Sequence, residues 1–115
     1  MKKNTGEKTT KEMVARFEAT LPLLGAMYSE LQELSKKKPD ATISKSKIQV
    51  INRLLRDIQE ILKNEDQAKY LDLLVEDDLP QYSDVVLMLS QFVAAMTAYR
   101  AKYYVWDGID HNWAI

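Results

Sequence analysis

Apolar side chains recur along this chain at alternating intervals of four and three residues. The longest such series is Val85, Leu89, Phe92, Met96, Tyr99, Tyr103 and Trp106. That spacing marks one face of a helix sustained for about six turns. A second series, Ile48, Ile51, Leu55, Ile58 and Leu62, predicts a helix over about 43–63. Val50, Leu54 and Ile61 widen its stripe, while Arg53, Arg56, Asp57, Glu60 and Lys63 fall on the other side. Phe17, Leu21, Leu24, Tyr28 and Leu31, extended by Met13 and Leu34, predict a first helix over about 10–36. Pro22 interrupts that helix, since it removes a backbone donor and clashes with the preceding turn. With Gly25 close by, a kink or a break into two helices is expected at 18–22. A short helix is expected over about 65–75, with Leu71, Leu74 and Val75 inward.

The boundaries carry recognisable signals. Thr9 and Glu12 have capping-box spacing at the start of the first helix. Lys36-Lys37-Lys38-Pro39-Asp40 closes it, because cations suit the negative pole of a helix dipole and Pro39 prevents continuation. Asn64 and Gln67 suggest a cap for the short helix. Glu76-Asp77-Asp78-Leu79-Pro80 reads as an acidic connector, with Ser83 a candidate cap for the last helix. Asp107-Gly108 ends that helix near Trp106, and Trp113 is expected to fold back onto the bundle, since an exposed indole leaves much apolar area in water. Residues 1–8 read as a disordered polar tail and 9–115 as one domain. The fold class expected is all-α: an up-and-down antiparallel bundle of three long helices and one short one.

Composition narrows the chemistry. The chain has 115 residues and 46% hydrophobic residues, enough for one domain with a real core. Three glycines and three prolines are few for a sheet protein with many tight turns. The net charge of −1 disfavours a dedicated nucleic-acid binder. Without cysteine there is no disulfide, thiolate nucleophile or cysteine-held metal. The polar start lacks the apolar run of a signal peptide. No stretch reaches the ~18 apolar residues of a membrane span, and Gln91 and Arg100 bracket the nearest approach. A cytoplasmic protein with no cofactor is expected.

Five clusters are candidates for chemistry. Tyr99, Arg100, Lys102, Tyr103, Tyr104 and Trp106 interleave rings and cations, a pattern able to stack bases; helix packing and dipole preference explain all but Tyr104. Ser44, Lys45, Ser46 and Lys47 open the second helix, and with Lys38 before them form a candidate anion site. No glycine-rich phosphate loop accompanies them. Asp107, Asp110 and His111 offer carboxylates and the single imidazole, but with no second histidine for a common metal set. Glu76, Asp77 and Asp78 could steer a basic partner. The serines meet no pattern for nucleophilic catalysis.

By elimination, the function expected is that of a small non-enzymatic interaction protein acting through its surface. A second copy is the partner expected, because the last helix has apolar residues on both sides of its stripe. Val86, Val93 and Tyr104 are the candidate interface. The alternative is an accessory protein for nucleic acid or a phosphate ligand, using the basic region 36–56.

Overall fold

The computed structural model describes residues 6–115. It is mostly helical, with three helices packed against each other and a small two-stranded sheet. They are α1 (Lys11–Lys37), α2 (Lys45–Leu62) and α3 (Tyr82–Tyr103), followed by β1 (Tyr104–Trp106) and β2 (His111–Trp113). The body is elongated, 49 × 23 × 21 Å.

The three stripes meet in one core. Phe17, Leu24, Leu31, Ile48, Leu55, Ile58, Leu62, Val85, Leu89, Phe92 and Met96 are buried there. Fully burying a side chain of this size contributes about 1.5–3 kcal/mol, so this shared core is the main force holding the helices together. Thr20, polar and on the same face, is also buried; its hydroxyl donates to the Arg16 carbonyl at 2.8 Å.

Several local expectations are corrected. α1 runs unbroken for 27 residues through Pro22 rather than as two helices. Pro22 is exposed, so water can serve the carbonyl that lacks its donor. The cap of α1 is Thr10, whose hydroxyl accepts from the Met13 N–H at 3.1 Å. Thr9 instead pairs its hydroxyl with that of Tyr99. The short helix expected at 65–75 is a 3₁₀ turn, Asp66–Tyr70, followed by extended chain. Leu71 and Leu74 are inward as expected, whereas Val75 is exposed. Ser83 does not cap α3. Gln81 does, and Asp84 Oδ2 accepts from the Gln81 N–H at 3.0 Å in a capping box.

α3 stops at Tyr103, three residues before Trp106. The chain then turns into an antiparallel hairpin pairing Tyr104 with Trp113, Val105 with Asn112, and Trp106 with His111. Trp113 packs back on the bundle as expected, edge-on to Phe17 with centroids 5.2 Å apart. Trp106 does not continue the core stripe; it is 60% exposed. Of the polar tail expected over 1–8, residues 1–5 lie outside the described residues. Glu7 makes an ion pair with Lys102 at 2.8 Å. No helix among the described residues is long and apolar enough to cross a membrane.

Candidate functional site: an open groove between α1 and α2

α1 and α2 leave a channel between them, and no α3 residue lines it. Its upper part is a hollow of about 280 Å³ lined by Met27, Glu30, Leu31, Leu34, Ile43, Ser46, Lys47, Val50 and Ile51. A second hollow of about 540 Å³ continues it, lined by Leu23, Ala26, Met27, Val50, Arg53, Leu54 and Asp57. Met27 and Val50 line both, so the two are one groove. Leu23 is 58% exposed and Val50 51% exposed. The reason is angular. Leu23 and Met27 lie off the α1 stripe that meets α3, and Val50 lies off the centre of the α2 stripe. Both helices therefore present a second, shallower apolar face that no other element among the described residues covers.

Charges frame the groove. At its upper end Glu30 of α1 shares the hollow with Ser46 and Lys47 of α2. Beyond its lower end, Arg16 of α1 lies within Coulombic reach of Glu60 of α2. Lys63, bonded at 2.6 Å, is the main cause holding the Glu60 carboxyl below its ordinary pKa, and Arg16 adds to it.

The residues expected to bind anions lie in the first turn of α2, except Lys38, which closes α1. The Ser44 hydroxyl accepts from the Lys47 N–H at 3.3 Å, capping the helix. Ser46 Oγ lies 3.3 Å from Ser44 Oγ. Lys45 Nζ stands 4.0 Å from Asp77, and Lys47 Nζ donates to the Tyr82 hydroxyl at 3.4 Å. The acidic connector thus faces the basic helix start of its own chain. Glu76 adds to this contact, accepting from Gln49 Nε2 at 3.0 Å.

The candidate interface residues are spread over two regions. Val86 and Val93 are half-buried against the core, while Leu87 beside them is exposed. Tyr104 belongs to the hairpin, with the Arg100 guanidinium 4.3 Å above its ring and His111 stacked at 5.7 Å. Tyr104, Trp106, His111 and Trp113 occupy the one face of the hairpin that its register dictates. Asp107 builds the turn. Its Oδ1 accepts from the N–H of Ile109 at 2.9 Å and of Asp110 at 2.8 Å, and its Oδ2 from Asn112 at 2.6 Å. The Asp110 and Ile109 amides, with Asn112, hold its carboxyl below the usual range. Among the described residues no group of three or more metal-ligating side chains comes together.

Three polar anchors lie outside the candidates drawn from the sequence. Asn52 is buried on α2 and clasps the connecting segment at Leu74, donating to its carbonyl and accepting from its N–H, both at 2.9 Å. Gln59, two turns on, donates to the Leu71 carbonyl at 2.6 Å. A signal existed: Ile48, Asn52, Leu55, Gln59 and Leu62 also follow the four-three rule, and an amide on an apolar stripe calls for a buried partner. Glu65 had no such signal. Its side chain is 8% exposed and accepts from the Tyr103 hydroxyl at 2.8 Å and Lys102 Nζ at 3.1 Å. Glu7 first, then Glu65 and Tyr103, hold the Lys102 ammonium above its ordinary pKa, against the opposing effect of burial. Burial raises the Tyr99 and Tyr103 phenols, and the Glu65 carboxylate adds to both.

No family model, curated protein or solved structure matches this chain.

Proposed function

We propose that this chain is a non-enzymatic interaction protein, an up-and-down antiparallel bundle that works by pairing with a second copy through the α1–α2 groove. The observation that carries this reading is the exposure of Leu23 and Val50 across one continuous apolar channel. Two large aliphatic side chains that share a channel form a patch, whereas scattered ones need no explanation. The facing order supports the antiparallel arrangement: Leu34 late in α1 shares a hollow with Ile43, and Leu23 shares one with Asp57. α2 is about 27 Å long and two helices side by side are about 20 Å wide, a face of the order of 500 Å² in projection. Accessible area exceeds projection, so the face approaches the roughly 800 Å² per partner of an ordinary specific interface.

Light scattering across a concentration series tests the reading. The native chain is expected to pass reversibly from monomer to dimer in the micromolar range. Leu23→Glu and Val50→Glu, both at exposed positions, should weaken the dimer at least about tenfold. Their far-ultraviolet circular dichroism should stay native. A native chain that remains monomeric at high micromolar concentration overturns the proposal. So does salt-sensitive binding to random DNA or RNA that Lys45→Glu and Lys47→Glu abolish while the groove variants leave mass unchanged.

A further inference from the structure

We infer that the second copy docks with its two-fold axis along the groove, so that α1 of each copy lies on α2 of the other and Glu30 meets the partner copy's lysine at position 47. This rests on the reading of the groove as a self-association surface and specifies its geometry. In an isologous dimer the axis lies in the plane of contact, so an elongated groove offers two simple choices, along its length or across it. The charges distinguish them. Glu30 and Lys47 flank the same hollow from opposite helices. With Leu34 sharing one end of the groove with Ile43 and Leu23 sharing the other with Asp57, the antiparallel run of the two helices brings Glu30 and Lys47 to about one level. Rotation about the groove axis keeps every residue at its level and exchanges the two sides. It sets each Glu30 against a lysine and each Lys47 against a glutamate. The far end obeys the same rule with the signs reversed, since Arg16 of α1 stands near Glu60 of α2. Leu23 and Val50 then close over the shared apolar floor from both copies.

Rotation across the groove does the opposite. Val50 lines both hollows and marks the middle of the channel. Lys47 and Arg53 lie three residues either side of it on α2. An axis crossing there lays α2 antiparallel on its copy and brings each Lys47 onto an Arg53. Like charges brought together at an interface select against that arrangement.

The absence of cysteine makes the geometry directly testable. Single-cysteine chains Glu30→Cys and Lys47→Cys are mixed and mildly oxidised. The expected product is the mixed disulfide dimer, in clear excess over either self-linked dimer. Charge reversal is the second readout: Glu30→Lys and Lys47→Glu should each weaken the dimer about tenfold, and the double variant should return to within about threefold of the native chain. A dimer in which self-linked product dominates, or in which the double variant is no tighter than the singles, overturns the geometry while leaving self-association intact. A native chain that never dimerises overturns both.

Discussion

Asn52 does more for this fold than its residue type suggests. Its amide bonds both the N–H and the carbonyl of Leu74 inside the protein, and so holds the 71–75 segment against α2. Removing it leaves a buried N–H and a buried carbonyl without partners, which costs more than the bonds themselves contribute. Asn52→Ala is expected to destabilise by about 2–3 kcal/mol in urea unfolding. A loss below about half a kcal/mol would mean that water replaces the amide. At this scale the sequence was partly legible. Phe17, Leu55 and Leu89 sit in the core where their spacing put them. Glu65 was not legible, because its partners Tyr103 and Lys102 are almost forty residues away and only folding brings them together.

At the scale of elements, pattern located the three helices and missed how two segments between and after them run. α1 continues through Pro22, an exposed position, because the packing of Phe17, Leu24 and Leu31 on either side holds the helix together. Pro22→Ala restores the missing N–H. It is expected to raise stability by about 1–2 kcal/mol, read as a higher midpoint in denaturant. A lower midpoint would show instead that the proline ring is needed where it lines the hollow against Tyr104 and Trp113. The 65–75 segment had helical spacing at Leu71, Leu74 and Val75, yet Asn52 and Gln59 bind its backbone and keep it extended. Likewise the stripe of α3 points on to Trp106, but the Tyr103 carbonyl accepts from the Ala114 N–H at 2.7 Å and the chain leaves as a strand. Short segments with weak intrinsic preference take the conformation that tertiary hydrogen bonds reward.

For the whole molecule, ionisable groups at one end of the bundle set two pH limits. The Asp107 carboxyl has a lowered pKa in the fold, so its contribution is complete above the ordinary carboxyl range and is lost as pH falls through the lowered value. Tyr99 and Tyr103 have raised values. Their contribution is complete below about 10 and is lost as pH rises through the raised values. Melting temperature should therefore fall below pH 4 and again above pH 10. Asp107→Asn is expected to flatten the acid limb and Tyr99→Phe the alkaline one; a profile unmoved by either variant refutes the assignment. Taken alone, the sequence determined that this chain is helical, where its three long helices lie and which face of each is buried, because those properties follow from side-chain periodicity within one segment. Only the tertiary structure decided the hairpin, the clasp of Asn52 and the open α1–α2 groove. Each depends on groups distant along the chain, and a face remains exposed only once every other element has been placed elsewhere.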